Sequence, residues 1–279
     1  MKVLLAGATG YLGGYILEEL LQKGYPVTVL LRNKSKLKTV DPVSIIEAAI
    51  TDPAAIRDCC RNIDVVISTV GITRQKDHLT YMDVDYQANL NLLREAQRSG
   101  VKKFIYVSVL HGQELRGLKI CAAKERFVEE LKRSGLDFCV IRPTGFFSDM
   151  SAFLDMARKG RVYLFGDGAT KINPIHGADL AVVCVAAIAG NESEIAAGGP
   201  QVFTQNEIAA TAFAALDKKT AVTHLPSWIK NFLLAILRTF TSSKTYGPVE
   251  FALTVITSNM VAPSYGQHTL SAYFSGQLP

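Results

Sequence analysis

Residues 2–14 read KVLLAGATGYLGG, and this stretch decides the fold. Val3–Ala6 is a short unbroken apolar run, as expected of a strand buried on both faces of a parallel sheet. Gly7, Gly10 and Gly13 follow at a G-x-x-G-x-x-G spacing, and Leu12, Ile16 and Leu20 begin a helical apolar stripe. Strand, glycine turn and helix in that order aim backbone N–H groups and the positive end of a helix at one place, where a phosphate would sit. Gly7 permits the tight turn, Gly10 the close approach of a pyrophosphate, and Gly13 close packing of helix on strand. Three glycines alone describe an ordinary βα turn; the flanking strand and helix make this a dinucleotide motif.

Outward from that turn, strands and helices alternate. Further strands are expected at 26–31, 43–48, 64–69, 104–107 and 138–141. The first helix ends near Gly24, a second starts at Asp52-Pro53, and others cover 78–99 and 121–134, the last closed by Gly135. This rhythm predicts an α/β fold, a Rossmann-type doubly wound parallel sheet with right-handed crossovers. Ligands on such sheets bind at the carboxyl ends of the strands. The second half is less regular. A short helix is expected at 146–159, strands at 162–167, 172–175 and 202–204, and helices at 179–189, 228–240 and 249–258. Thr204 and Glu207 form a T-x-x-E capping box for a helix reaching Leu216. We expect an NAD(P)-binding core over 1–150 and a smaller C-terminal substrate lobe over 151–279, with some segments returning to the sheet.

Composition limits the function. The chain has 279 residues, 48% hydrophobic and 20% charged, with a net charge of +5. That suits a globular protein with a substantial core. Basic residues are scattered or in short groups such as Lys34, Lys36 and Lys38, without interleaved aromatics, which argues against nucleic acid and for a small anionic ligand. Five cysteines without paired C-x-x-C spacing support neither a disulfide framework nor a zinc site. No apolar run approaches the roughly 18 residues of a membrane span. The nearest, 232–237, is far too short, and nothing at the start reads as a secretory signal, so a cytoplasmic protein is expected.

The second strand runs out as VTVLLRNKSK. An acidic residue there selects the ribose 2′-hydroxyl of NAD, whereas an arginine accommodates a 2′-phosphate. Arg32 stands in this place with Lys34 and Lys36 behind it, and no acid appears until Asp41. A guanidinium fork suits phosphate, so NADPH is expected over NADH.

In order, GATGYLGGYIL, VLLRN, VVISTVG, FIYVSV, AAKERFVEEL and VIRPTGFF resemble the atypical short-chain dehydrogenases, in their NmrA-like NAD(P)H-binding branch. The resemblance covers most of residues 1–190, and VDYQANLN, RPTGFF and FGDGATKINPI resemble the group containing divinyl chlorophyllide reductases. It implies that Thr9, Gly10, Tyr11 and Leu12 lie along the pyrophosphate, and that Ser68, Thr69, Val70 and Gly71 line the adenosine ribose side. It further implies an active-site serine at Ser108, a lysine at Lys124 that contacts the nicotinamide ribose, and a nicotinamide border at Pro143, Thr144 and Gly145.

Two departures matter. The usual Y-x-x-x-K pattern has Ile120 in place of tyrosine, so no phenol is offered there as proton donor to a carbonyl oxygen. Members of the resembling branch that reduce conjugated C=C bonds can lack it. In EAAITDP, Ala49 replaces an aspartate common in the family, which leaves backbone groups and Asp52 for adenine.

No nucleophile elbow, H-E-x-x-H or Walker lysine motif is present. His111, three residues after Ser108, is the one histidine near a strand-end site and could supply a proton. Phe146 and Phe147, directly after the nicotinamide loop, are candidates for an apolar substrate wall. The expected function is an NADPH-dependent reduction of a small apolar substrate, with a conjugated C=C bond as the candidate reacting group. The alternative is a non-catalytic NADP(H)-binding sensor or assembly factor that passes cofactor state to a protein partner.

Overall fold

The computed structural model describes residues 1–37, 43–73, 75 and 79–278. Lys38, Asp41 and His78 lie outside the described residues. The strand–helix series opens with β1 (Val3–Ala6), α1 (Tyr11–Gln22), β2 (Val27–Leu31), β3 (Ser44–Glu47) and β4 (Val65–Ser68). It continues with α2 (Asn89–Arg98), β5 (Lys103–Val107), α3 (Lys119–Lys132) and β6 (Asp137–Pro143). Beyond these come α4 (Phe147–Arg158), β7 (Val162–Phe165), β8 (Lys171–Ile172), α5 (Gly177–Ala186) and β9 (Glu194–Ala197). The chain ends in β10 (Phe203–Thr204), α6 (Gln205–Ala215), β11 (Val222–Leu225), α7 (Ser227–Phe240), α8 (Ser243–Ile256) and α9 (Leu270–Ser275).

The main sheet has seven strands in the order β3-β2-β1-β4-β5-β6-β9, and the pairs from β3 to β6 are parallel. The fold is the expected Rossmann-type α/β sheet. Its strand order reverses between β1 and β4, where Ala6 registers with both Leu30 and Ser68. That reversal is where such sheets open a ligand crevice. β1, β2 and β4 are buried at every residue, as continuous apolar runs require, while the edge strand β3 is largely exposed. Leu4, Ile56, Phe104, Tyr106, Phe127 and Val140 belong to one core cluster, in which the Tyr106 and Phe127 rings meet edge-on at 4.6 Å. All five cysteines are buried free thiols.

The chain divides into two compact units, Met1–Arg142 with Leu180–Ile195, and Pro143–Asp179 with Ala196–Pro279. The change falls at Arg142 rather than at 150, and 180–195 returns to the first unit. Within the second unit, α4 packs on α6 and α9, β7 pairs with β11 in parallel, and β8 with β10 antiparallel. Phe147, Phe153, Phe213 and Phe274 are buried there.

Several expectations fail for local reasons. Residues 53–62 form successive turns instead of a helix, because Asp58 and Asn62 take φ of 63° and 59°. The expected helix over 78–99 is a π-helical turn, Met82–Ala88, running into α2. The strand at 172–175 stops after Ile172, since the buried Asn173 side chain bonds Gly199 O, Ala262 O and Ala262 N–H. α8 begins at Ser243 rather than at 249, with Pro248 inside it. The strands β9 and β11 and the helix α9 were not expected.

Candidate functional site

The glycine turn has the shape its sequence demands. Gly7 has φ +96°, and a Cβ there would lie 2.4 Å from Thr69 Oγ1. A Cβ on Gly13 would lie 2.0 Å from Gly7 O, so α1 meets the turn as closely as its sequence allows. Gly10 N–H donates to Gly7 O at 2.9 Å, and no side chain caps the start of α1. The start of α1 therefore aims its positive end at the carboxyl end of β1, where a ligand's phosphates would sit. Thr9, Gly10 and Tyr11 are exposed there, and Leu12 is buried. Thr69 N–H bonds Ala6 O at 3.0 Å, which ties the end of β4 to the turn. Any side chain on Gly7 would run into Thr69, so only glycine keeps the turn this close to the end of β4, as a dinucleotide motif requires.

Around the same sheet edge, Arg32 follows β2 directly and is exposed. Asn33 Oδ1 accepts from Ser35 N–H at 2.9 Å and caps a single turn, Lys34–Lys36, that holds Lys36. Asp52 is exposed, and its Oδ1 accepts from Ala54 N–H at 2.9 Å within its own turn. Ser68 is wholly buried and donates to Asn89 Oδ1 at 2.6 Å, so its hydroxyl serves the fold. Asn89 Nδ2 in turn bonds the carbonyls of Val70, Val84 and Asp85, which pins the end of β4 to the π-helical turn.

That turn delivers a residue the sequence reading gave no role. Asp85 is fully buried, and its Oδ1 lies 3.0 Å from Lys124 Nζ on α3. Ile72 N–H donates to the other oxygen at 3.2 Å. Lys124 Nζ also lies 3.5 Å from the phenol oxygen of Tyr106, which projects from β5. Gly71 covers the group: a Cβ there would come within 2.6 Å of Asp85 Oδ1 and 2.9 Å of Lys124 Nζ. Burial pushes the Asp85 carboxyl up, while Lys124 opposes it. Burial alone would lower the Lys124 ammonium, but the Asp85 carboxylate 3.0 Å away outweighs that and keeps it charged. Burial likewise raises the Tyr106 phenol, which stays protonated. Position 120 offers no phenol, and this one enters from a neighbouring strand.

Ser108 takes a partner other than Lys124. Ser108 is buried and donates to Glu125 Oε1 at 2.8 Å. Glu125 receives a bidentate Arg142, at 2.6 and 3.0 Å, and Arg142 Nε reaches Glu194 at 2.8 Å. Glu125 and Arg142 sit in AAKERFVEEL and VIRPTG, but only the fold pairs residues 17 apart in this way. His111 is exposed at φ 54°, with Nδ1 3.9 Å from Glu114.

In the second unit, Thr144 is buried and donates to Asn173 O at 2.6 Å, and Ile175 N–H donates to Gly145 O at 2.8 Å. These bonds fix the turn that begins at the buried Pro143. Phe146 is half-buried, but Phe147 packs inside this unit against His176 and Tyr273. Among the described residues no cluster could hold a metal ion, and no helix is long and apolar enough to cross a membrane.

The family model described as NAD(P)H-binding matches residues 7–192, from the first glycine to the last helix of the sheet. The chain belongs to the NAD(P)H-binding family. The chain is 30% identical to the photosystem II assembly factor Ycf39 of Synechocystis sp., over 54% of this chain and 46% of that one. It thus spans about half the length of that factor. The divinyl chlorophyllide a 8-vinyl-reductase of Arabidopsis thaliana is 25% identical, over 99% of this chain and 76% of the relative. Among solved structures, the NADPH-dependent quinone oxidoreductase of Escherichia coli, complexed with NADPH, has the same fold, with a TM-score of 0.73 at 19% identity, covering 98% of this chain and 99% of that one.

Proposed function

We propose that the chain is an NADPH-dependent reductase of a small apolar molecule, acting at a conjugated carbon–carbon double bond. The observation that carries this reading is the Asp85–Lys124–Tyr106 group beneath Gly71, at the carboxyl end of β4. A charged lysine, held by a buried carboxylate, is suited to bind the ribose hydroxyls and fix one orientation of the nicotinamide. Tyr106 and Asp85 are positioning residues that act through Lys124. The bound coenzyme supplies the hydride. The amides at the start of α1 bind the diphosphate, and Arg32 with Lys36 binds the 2′-phosphate. The likeness to the vinyl-reductase along nearly the whole chain supports reduction at carbon, which needs no phenol at position 120.

Two measurements test this. Loss of a guanidinium–phosphate contact costs at least about 1.4 kcal/mol, so Arg32→Ala is expected to weaken NADPH binding about tenfold or more. NADH binding is expected to be unchanged, and an equal loss for both would remove the 2′-phosphate assignment. Against a panel of enones and quinones, NADPH oxidation by at least one member is expected, abolished in Lys124→Ala. The second reading, a non-catalytic NADP(H)-binding module, is favoured by the likeness to the assembly factor. It predicts tight NADPH binding with no oxidation by any acceptor.

A further inference from the structure

The structure turns the apolar stretch of α7 outward. Of its fourteen residues only Leu234 is buried. Trp228, Phe232, Ile236 and Phe240 recur every fourth residue, are 64%, 57%, 38% and 81% exposed, and form one stripe that Leu233 widens. Trp228 and Phe232 meet edge-on at 6.5 Å within it. Two basic side chains of α7 reach α8 and the residue that ends it. Lys230 Nζ donates to Thr257 Oγ1 at 2.8 Å, and Arg238 pairs with Glu250 of α8. A surface helix of an isolated globular protein presents its polar face to water. Here an apolar stripe faces water as well.

Single exposed apolar residues need no explanation, whereas a continuous aromatic and aliphatic stripe marks a binding surface. Charge identifies what it meets. Between Asp217 and Glu250 the chain carries Lys218, Lys219, Lys230, Arg238 and Lys244 and no acidic residue. At 1.5 Å per residue the helix is about 21 Å long, short of a bilayer core and apolar on one side only. Tryptophan, phenylalanine and branched side chains on one face of a helix, within a stretch that carries basic and no acidic residues, suit the headgroup boundary. We propose that the outward face of α7 docks on a lipid bilayer bearing anionic headgroups, with the helix axis in the membrane plane.

This stands apart from the reductase reading, and its test needs no coenzyme. Trp228 is the chain's one tryptophan, so its emission reports the surface directly. The full chain is mixed with vesicles of phosphatidylcholine alone, or of phosphatidylcholine with phosphatidylglycerol. With the anionic vesicles, emission is expected to shift to the blue and the protein to sediment with lipid, less so as salt is raised. Phe232→Glu with Phe240→Glu, both at exposed positions, is expected to lower that affinity by more than about tenfold while leaving the circular dichroism spectrum unchanged. Absence of a blue shift with anionic vesicles overturns the proposal, as does equal binding to neutral vesicles. So does vesicle binding that survives the double substitution. A concentration-dependent dimer in sedimentation velocity, lost in the double variant, assigns the face to a second copy instead and overturns it also.

Discussion

Asp85 lies wholly out of water, and the ammonium of Lys124 is its partner on α3. Removing one member of a buried ion pair leaves the other uncompensated, which costs about 3–5 kcal/mol. Lys124 is part-exposed, so Asp85→Ala is expected near the lower end, about 3 kcal/mol in urea unfolding. Tyr106→Phe removes only the oxygen facing Lys124, and is expected to lower turnover while leaving NADPH binding within about tenfold. Gly7→Ala sets a Cβ against Thr69 at φ +96°, and is expected to abolish NADPH binding and cost about 1–3 kcal/mol of stability. In the second unit, the His176 ring stacks on His268 at 4.3 Å, and His268 bonds Asp179 at 2.7 Å. Burial, and then His268, hold the His176 pKa below its ordinary 6.5, with Asp179 opposing. The folded state therefore favours the neutral ring, whose Nδ1 accepts from Ala178 N–H. That contribution is complete above pH 6.5 and is lost as the pH falls through the folded value. Unfolding midpoints are expected to drop below pH 6.5, and less steeply in His176→Asn.

At the scale of elements, the π-helical turn Met82–Ala88 depends on Asn89, whose amide holds three carbonyls and whose oxygen takes the Ser68 hydroxyl. π-Helical turns in longer helices often mark functional sites, and this one carries Asp85 to Lys124. Asn89→Ala is expected to cost about 1–3 kcal/mol and to raise the Kd for NADPH as Asp85 shifts, measured by calorimetry. The strands β1, β2 and β4 were legible because short, mostly apolar runs of four or five residues have few other readings, whereas Glu194–Ala197 of β9 offers no such run. Asp85 was legible only as a letter of VDYQANLN. An apolar period shows that a helix exists, but not that one turn is wound wider. The turns at 53–62 escaped notice because Asp52-Pro53 is a sound helix start, and nothing local announces the left-handed Asp58 and Asn62.

For the molecule as a whole, a ligand that binds only the folded state stabilises it by mass action. NADPH at about 100 times its Kd is expected to add about 2.7 kcal/mol to unfolding, and NADH at the same concentration less. Lys124 stands out by motif position, whereas Tyr106, Glu125 and Arg142 acquire partners only when distant strands and helices meet. The outward face of α7 was hidden for another reason: a periodicity names an apolar face without saying what covers it. The five thiols have a practical consequence. All are buried, and burial pushes Cys121 up to about 12 and Cys139 up to about 11. A maleimide should therefore find no ready target on the native protein, and the pace of alkylation becomes a clock for opening of the interior. A cysteine engineered onto the exterior would take a spectroscopic label alone, without first deleting the natural ones.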